Sequence, residues 1–552
     1  MSDGSANIAR YLPERAAGQP GVAALKVPRG RGRDGRIEYL TLTFAELDAE
    51  VDAWVARLQA HEVVAGDRVL LMVRQGLPLI AAAFALFKYG AVPVVIDPGM
   101  GLRSFLRCVA RSRPRVLLGI PVARVVSRLF RSSFRSVQVR VPASGSTLAR
   151  LARAEAAGRA PAFRPVHRTS DDLAAVLFTS GSTGAPKGVC YEHGMFDAQV
   201  GLIQRTYQIE PGEVDLPMLP VFALFNPALG MTTVVPEIDP GKPATVDPAK
   251  IVQAIRQEGV TNSFGSPTLW SKIAAYCSDR GETLPGLRRV LCAGAPVPAL
   301  LWERSRLLLP NGELHSPYGA TESLPVSTIA AHEVDPASVQ GSCVGRPLDG
   351  MDVRVIAMQE GPITGLKDAK FLSAGEIGEI IVRGPVVTRE YDHLPEATRL
   401  AKIPAQAGEP GTGVWHRLGD CGYLDPAGRL WFCGRKVERV ETAQGVLFTE
   451  PCEQVFRRLP WVERCALVGL GPAAKQVPAL VVQRRSLPGD PPLSDEELAS
   501  ALREAGRHYA HTASIARFYF HPDFPVDVRH NAKIHRLTLA KWAATRKAIE
   551  VP

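Results

Sequence analysis

The stretch that decides the fold lies at residues 179–188 and reads Thr-Ser-Gly-Ser-Thr-Gly-Ala-Pro-Lys-Gly, directly after the apolar run of residues 173–178. Glycine lets backbone N–H groups come close to bound oxygens, and the hydroxyls and the lysine add hydrogen-bond donors and positive charge. The loop therefore predicts a phosphate site behind a buried strand. The predicted contact residues are Thr179, Ser180, Gly181, Ser182, Thr183, Gly184 and Lys187.

Two other interpretations of this loop are weaker. A Walker A loop has Gly immediately before its Lys and Ser or Thr after it, whereas Pro186 and Gly188 occupy those positions here. A Ser/Gly-rich stretch on its own is typical of a flexible linker. Because this stretch follows an apolar strand and ends in Pro-Lys-Gly, phosphate binding is the better interpretation.

Short apolar strands alternate with helix-like segments on both sides of the loop. The spacing of apolar residues predicts helices at residues 44–58 and 79–88. This alternation predicts an α/β fold in which the sheets are largely parallel. The predicted strands lie at residues 68–73, 92–96, 115–120, 173–178 and 289–291.

The pattern changes twice towards the C-terminus. Around residues 375–434, short alternating strands are joined by Gly and Asp-Pro turns, which predicts a β-rich subdomain. From residue 435 onwards, helix and strand patterns form a smaller set that suits an independent α+β unit. The sequence therefore predicts an N-terminal domain at residues 1–434 and a C-terminal domain at residues 435–552.

The net charge of +10 and the isoelectric point near 9.2 raise the question of an anionic partner. Nucleic acid or an anionic membrane surface would be such a partner. The arginines that stand closest together lie in apolar, helix-like sequence without interleaved aromatic residues, so solvated helix faces and local ion pairs explain them better. No nucleic-acid partner is expected. These arginines are Arg103, Arg107, Arg111, Arg113 and Arg115.

The sequence predicts neither secretion nor a membrane span. Residues 1–10 are polar and lack the basic and apolar segments of a signal peptide. The apolar run at residues 77–87 stops at Lys88, short of the roughly 20 residues that a span requires, so we expect a buried helix. Nine cysteines are scattered singly, as in reduced proteins. A cytoplasmic enzyme without a transmembrane segment is expected.

Residues 30–35, Gly-Arg-Gly-Arg-Asp-Gly, match the spacing of a dinucleotide-binding loop. The residues that follow, 37–43, alternate as in a strand, so no helix N-terminus is available to hold a pyrophosphate. We therefore predict a hairpin turn at this position.

The loop at residues 179–188 resembles the phosphate-binding signature of the ANL superfamily of adenylate-forming enzymes. That superfamily includes acyl-CoA synthetases, adenylation domains of nonribosomal peptide synthetases and firefly-type luciferases. Two further segments and three single positions resemble its motifs, in the same order and over nearly the whole chain. The resemblance implies the ANL fold, with a large N-terminal domain and a small mobile C-terminal domain. It also implies ATP as a substrate and Mg²⁺ as a cofactor.

Residues 318–322, Tyr-Gly-Ala-Thr-Glu, resemble the second signature of the superfamily. The resemblance places Tyr318 and Gly319 against adenine, Thr321 at the α-phosphate and Glu322 on Mg²⁺. A carboxylate is a suitable ligand for this hard cation. A preceding segment resembles the wall of the adenine pocket. The nucleotide-binding residues implied by the two segments are Gly294, Ala295, Pro296, Tyr318, Gly319, Ala320 and Thr321.

Three further positions match single residues of the superfamily. The resemblance implies that Asp420 accepts both ribose hydroxyls, that Arg435 contacts the same sugar, and that Lys533 reaches the carboxylate and the α-phosphate. Ala532 stands where the superfamily has Gly, a departure that concerns the local backbone and leaves the charge of Lys533 in place. No covalent nucleophile is needed, because positioning and electrostatics suffice for transfer at phosphorus. The implied catalytic residues are Lys187, Thr321, Glu322 and Lys533.

Residues 218–236 lie where the superfamily places its acyl pocket, and they are almost without charge. An apolar acyl chain suits such a pocket better than a polar amino acid, whose ammonium group would need an acidic partner. Residues 225–230, Phe-Asn-Pro-Ala-Leu-Gly, are similar to the β-lactone synthetases of bacterial long-chain olefin biosynthesis. The candidate pocket residues are Phe222, Phe225, Asn226 and Leu229.

This narrower resemblance implies a long-chain 2-alkyl-3-hydroxy acid as substrate, which is activated as acyl-AMP and closes to a β-lactone. It further implies a reductase that acts before the enzyme and a β-lactone decarboxylase that acts after it. Val437 stands at the predicted hinge, where the superfamily has Asp or Lys, and suggests less demand for the pose that uses CoA. Gly445 matches the glycine of the pantetheine loop in the superfamily, and its presence instead favours the use of CoA.

Two alternatives remain open. A long-chain fatty acyl-CoA synthetase would share the adenylation step and pass the acyl group to CoA. A catalytically silent nucleotide-binding scaffold is disfavoured, because all of the residues that adenylation requires are retained. These residues are Lys187, Glu322, Asp420, Arg435 and Lys533.

Overall fold

The computed structural model describes residues 4–143, 162–179, 186–239, 245–405, 413–485, 493–526 and 533–552, without the side chains of Pro98 and Thr179. Three main sheets are present, of 14, six and four strands, together with a separate two-stranded hairpin. Helices pack against them, so the predicted α/β class is confirmed. No described helix is both long enough and apolar enough to cross a membrane.

The six-stranded sheet leads into the glycine-rich loop. Its first five strands are parallel, and the last pair, on either side of the loop, is antiparallel. Parallel strands need crossover connections, which explains the alternation of helix and strand in the sequence. In order across the sheet, the strands are Val139–Pro142, Val116–Gly119, Arg68–Met72, Val92–Val95, Leu173–Thr179 and Lys187–Glu192.

Helices cover both faces of this sheet. Phe44–Ala60 and Leu77–Tyr89 pack on one face, and Leu102–Ser112 and Pro121–Leu129 pack on the other. The apolar run at residues 77–87 forms the predicted buried helix. Lys88, in the last turn of this helix, is buried as well and forms ion pairs with two aspartates of the neighbouring helix.

The 14-stranded sheet is parallel in its central part and antiparallel elsewhere. The parallel part extends from Glu313–Ala320 to Ala23–Arg31. Lys402–Pro404 pairs with Val414–Leu424 outside the main order. The other strands, in order, are Asp352–Ile356, Gly378–Arg383, Val414–Leu424, Leu430–Arg435, Ser342–Pro347, Ser323–Ala330, Glu313–Ala320, Arg289–Cys292, Asn262–Gly265, Val214–Pro217, Thr232–Val234, Ala23–Arg31 and Ile37–Thr43.

The antiparallel part begins before residue 375, where the sequence pattern indicates a β-rich subdomain. Ser323–Ala330 and Ser342–Pro347 already pair antiparallel with each other. Ser323–Ala330 is buried along most of its length. A strand covered on both faces has no alternation of polar and apolar residues, so its sequence pattern is weak.

The remaining helices of the N-terminal region pack around this larger sheet. Their bounds are Tyr11–Gly18, His193–Tyr207, Asn226–Leu229, Pro248–Glu258, Pro267–Ser278, Ala299–Leu308 and Pro395–Ala401.

Residues 30–35 join two antiparallel strands, as predicted for a hairpin. Ala23–Arg31 pairs with Ile37–Thr43, and the Gly32 N–H donates to the Arg36 carbonyl at 2.9 Å. No helix follows the turn, so a dinucleotide-binding loop is excluded at this position.

The C-terminal part has its own sheet, with strands Val462–Leu470, Val477–Arg484, Arg517–Phe520 and Ile549–Glu550. Thr449–Arg457, Asp495–Arg507 and Arg536–Ala543 are its helices, and Val440–Thr442 pairs with Gly445–Leu447 in a small hairpin. The buried side chains between sheet and helices form a core of their own.

Candidate active site

A cleft of about 2110 Å³ lies between the larger sheet and the C-terminal part. Both parts contribute to its walls, so the cleft brings together motifs that are more than 300 residues apart in sequence. Its lining includes the predicted residues Lys187, Gly294, Ala295, Pro296, Tyr318, Gly319, Ala320, Thr321, Glu322, Asp420, Arg435 and Lys533. The predicted residues Ser180, Gly181, Ser182, Thr183 and Gly184, and the side chain of Thr179, lie outside the described part of the chain.

A buried carboxylate with two partners lies on one wall. Asp420 and Arg435 face each other across neighbouring antiparallel strands, and Arg435 Nη1 lies 2.8 Å from Asp420 Oδ1. The Tyr318 hydroxyl donates to Asp420 Oδ2 at 2.6 Å. Burial, and then the negative charge of Asp420, raise the pKa of Tyr318, which therefore remains a donor. The two contacts fix the orientation of the Asp420 carboxylate at the cleft.

Glu322 is held by a residue that the sequence did not single out. The Tyr391 hydroxyl donates to Glu322 Oε1 at 2.7 Å, and the Lys187 ammonium lies 4.7 Å from the centre of the Tyr391 ring. Burial raises the pKa of Tyr391, and the Glu322 carboxylate raises it further. Tyr391 thus links the lysine after the phosphate loop with the predicted metal ligand.

A buried lysine stands behind this group and was also missed. Lys402 donates to the backbone carbonyl and the hydroxyl of Thr388, and the Thr388 N–H in turn donates to the Glu322 carbonyl at 2.9 Å. Burial lowers the pKa of Lys402 to about 7, against the opposing effect of the Glu322 carboxylate. In the sequence alone, nothing about a single Lys or Tyr indicates that Lys402 and Tyr391 lie near Glu322.

Lys533 enters the cleft from the C-terminal part. Three residues later, Arg536 starts a helix, and its guanidinium lies 3.0 Å from Glu438 and 2.7 Å from Glu453. These ion pairs connect the segment that bears Lys533 to the core of the C-terminal part. Gly445 lies in the small hairpin and does not line the cleft.

The predicted hinge residue Val437 lies between two anchored neighbours. Lys436 donates to the Gln359 carbonyl at 2.6 Å and to the buried Glu379 at 3.1 Å, both in the N-terminal part. Glu438 pairs instead with Arg536 of the C-terminal part. Val437 itself is 47% exposed, and its role as the hinge stays a prediction.

None of the four predicted acyl-pocket residues lines this cleft. Asn226 is buried and donates to Asp215 at 2.8 Å and to Thr233 at 2.9 Å. Leu229 is buried in the core. Phe222 stacks on Phe264 with 3.6 Å between ring centres, and Phe225 packs against the same core as Leu229. The amide of Asn226 is thus committed to a buried polar network.

Comparisons with known proteins agree with this geometry. The family model described as AMP-binding enzyme matches residues 12–392. Olefin β-lactone synthetases from Xanthomonas campestris pv. campestris and Stenotrophomonas maltophilia are each 44% identical to the chain, over 98% of this chain and 98% of the relative. The structure of ATP-bound MatB from Rhodopseudomonas palustris has a TM-score of 0.78 at 21% identity and covers 98% of this chain and 99% of its own. The chain therefore belongs to the AMP-binding enzymes of the ANL superfamily.

Proposed function

We propose that the protein activates a long-chain 2-alkyl-3-hydroxy acid with ATP and closes the acyl-adenylate to a β-lactone. The observation that supports this most strongly is the 44% identity to two olefin β-lactone synthetases over 98% of both chains. The gathering of Lys187, Thr321 and Lys533 around one cleft supports the first half of the reaction.

In that first half, a carboxylate oxygen attacks the α-phosphorus, and the bond to pyrophosphate breaks. Negative charge grows on the phosphoryl oxygens, and positively charged side chains placed in advance stabilise it. Lys533 from the C-terminal part and Lys187 from the strand after the loop supply this charge. Asp420 and Arg435 hold the ribose, so the nucleotide is oriented before the acid reacts.

The residues around Glu322 suit a magnesium ion that is shared with substrate phosphates. Glu322 Oε1 accepts from Tyr391, while Oε2 accepts no hydrogen bond from any described residue. The described residues contain no group of three or more His, Cys, Asp or Glu side chains that could hold a metal ion by itself. Mg²⁺ is commonly bound by one or two carboxylates together with phosphates and water. When bound, it supplies neutralising charge to the phosphates.

In the second half, the 3-hydroxyl oxygen attacks the acyl carbon of the same molecule. A C–O bond closes the four-membered ring, the bond to the phosphate oxygen breaks, and AMP and a proton are released. Preorganised intramolecular attack recovers roughly 7 to 11 kcal/mol of barrier, which offsets ring strain. A reductase that generates the 3-hydroxyl and a decarboxylase that consumes the lactone are the implied neighbours in the reaction sequence.

The competing function is a long-chain fatty acyl-CoA synthetase. It requires the C-terminal part to rotate so that the hairpin with Gly445 reaches the cleft. Val437, between its anchored neighbours, permits such a rotation but lacks the charged side chain of the superfamily hinge. CoA dependence therefore separates the two functions.

Lactone formation without CoA tests the proposal. We expect enzyme, Mg-ATP and a racemic long-chain 2-alkyl-3-hydroxy acid to yield AMP and a product whose NMR spectrum contains the ring protons of a four-membered lactone. The matched acid without the 3-hydroxyl should release pyrophosphate and accumulate acyl-AMP, because the internal nucleophile is missing. Absence of lactone, with rapid thioester formation once CoA is added, would establish the synthetase instead.

Replacement of Asp420 by alanine is expected to raise the KM for ATP about tenfold or more with a smaller effect on kcat. Its contacts to ribose exist before and during the reaction, so they contribute to binding in both states. Hydrogen bonds to a charged group are worth about 1.5–3 kcal/mol. Pyrophosphate release at varied ATP concentration measures the effect. Asp349→Ala, at an exposed site outside the cleft, is the control, and an unchanged KM in Asp420→Ala would remove Asp420 from the ribose site.

A further inference from the structure

The positive charge of the protein is concentrated in one stretch, and none of its described residues lines the cleft. Residues 98–154 contain twelve arginines and no lysine, aspartate or glutamate, so this stretch carries more positive charge than the net +10 of the whole chain. The rest of the chain is therefore slightly negative. A segment that contains many positive charges and no negative charge creates a local positive potential.

The fold gathers part of this charge on one surface. The helices Leu102–Ser112 and Pro121–Leu129 pack on the same face of the six-stranded sheet through a shared apolar cluster. Their outward sides consequently point away from the sheet in the same direction. We call the exposed residues there the basic face, which consists of Arg103, Arg107, Val122, Val125, Arg128 and Leu129.

No carboxylate of the described residues forms an ion pair with the arginines of the basic face. Among the described residues, Arg103, Arg107 and Arg128 form no ion pair, whereas Arg115, which lies outside the two helices, pairs with Asp67. Solvated helix faces and local ion pairs were both predicted for this region, and Arg103 and Arg107 are exposed on a helix without an ion pair to a described residue. Their charge is available to an external anionic surface.

Three aliphatic side chains project between these arginines. Val122, Val125 and Leu129 occupy positions i, i+3 and i+7 of one helix, and they are 67%, 53% and 72% exposed. This spacing places them on one side of the helix, while Ala123 and Ser127 are buried on the other side. Exposed aliphatic residues flanked by arginines are the composition of helices that lie at a membrane surface.

We propose that the basic face docks the protein onto an anionic lipid bilayer. Lipid headgroups supply the negative charge, the aliphatic side chains enter the outer acyl region, and the arginines extend towards the phosphates. A specific protein partner is less suitable, because protein interfaces are built around exposed aromatic anchors. Here Phe105 and Phe134 are buried, and Phe130 is partly buried and packs against the apolar cluster under the helices. Docking would also place the cleft near a pool of long-chain acids, a benefit that rests on the proposed function.

Co-sedimentation with vesicles tests this proposal without ATP or acid, so its outcome does not depend on lactone formation. We expect the protein to bind vesicles in which one third of the phosphatidylcholine is replaced by phosphatidylglycerol, and to release them at high salt. Binding to pure phosphatidylcholine should be much weaker. The double variant Arg103→Gln/Arg128→Gln should lower the partition coefficient about thirtyfold, since each arginine near an anionic surface contributes roughly fivefold.

Matched variants separate the basic face from general charge and hydrophobicity. Arg33→Gln/Arg36→Gln removes two exposed arginines from the hairpin, and Leu307→Ser removes a leucine that is 79% exposed on another helix. We expect both to bind vesicles as the unchanged protein does. Val125→Ser/Leu129→Ser should lower binding about tenfold, since little apolar area then enters the bilayer. Equal thermal unfolding midpoints and equal pyrophosphate release with a short soluble acid would exclude misfolding.

Several outcomes would overturn the proposal. The proposal is wrong if the protein shows no preference for anionic vesicles. It is also wrong if the basic-face variant and the hairpin variant lose vesicle binding to the same extent. A dimer that dissociates in Val125→Ser/Leu129→Ser would show that a second copy of the chain covers the face. Capture of an acidic protein, without vesicle binding, would assign the face to a protein partner.

Discussion

Replacing Lys533 with alanine is expected to lower the rate of pyrophosphate release about a hundredfold while ATP binding remains nearly unchanged. Lys533 of the C-terminal part lines the same cleft as Lys187 and Thr321 of the N-terminal part. Its charge is needed chiefly when the carboxylate attacks the α-phosphorus, because negative charge grows there only in the transition state. Removing one such group costs about 3 kcal/mol of transition-state stabilisation.

The measurement combines single-turnover pyrophosphate release with equilibrium binding of ATP. Lys547→Ala is the matched control, because Lys547 is an exposed lysine of the same part of the chain and lies away from the cleft. Lys533→Arg should retain part of the rate, since the positive charge is kept. Wild-type pyrophosphate release by Lys533→Ala would show that another group stabilises the transition state.

Replacing Glu453 with alanine is expected to destabilise the C-terminal part by about 3–5 kcal/mol. Glu453 is completely buried and accepts from the Arg536 guanidinium at 2.7 and 2.8 Å, from Arg457 and from the Leu467 N–H. Removing one partner of a buried ion pair leaves the opposite charge without compensation. Because Arg536 follows closely after Lys533, the variant should also impair adenylation.

Denaturant unfolding of the full chain, followed by fluorescence and circular dichroism, measures the change. The control is Glu504→Ala, which removes an exposed carboxylate from a helix of the same part and should change stability by less than about 0.5 kcal/mol. An equally small effect for Glu453→Ala would mean that the buried network contributes little net stability.

The pH dependence of this network has a definite sign. Burial alone would raise the pKa of Glu453, but the charges of Arg536 and Arg457 outweigh it and hold that pKa below its usual value. A carboxylate with a lowered pKa contributes stability above its unfolded value, roughly pH 4.3, and loses it as the pH falls through the folded value. Glu453→Gln should therefore show less acid destabilisation than the unchanged protein.

The local patterns of the sequence determined the type of most elements and the order of the motifs. The alternation around residues 173–188 predicted a strand, a phosphate loop and an α/β fold, and the fold class and the family are confirmed. The run at residues 77–87 was predicted as a buried helix because its composition allows no solvated face. Such features depend on residues that are close in sequence, where periodicity and turn chemistry act.

Only the tertiary structure decided which distant side chains meet. Tyr391 and Glu322 are 69 residues apart, and Tyr318 and Asp420 are 102 apart. The order of strands in the larger sheet brings Tyr318 and Asp420 together, whereas Tyr391 lies outside the named strands and forms a bridge to Val189. No local periodicity specifies either arrangement. Lys402 was missed for the same reason. The side chain of Asn226 donates to Asp215 and Thr233 on two neighbouring strands, and its place in the acyl pocket stays a prediction. Contacts of this kind depend on packing between distant segments, and the local pattern of one segment does not specify which other segment packs against it.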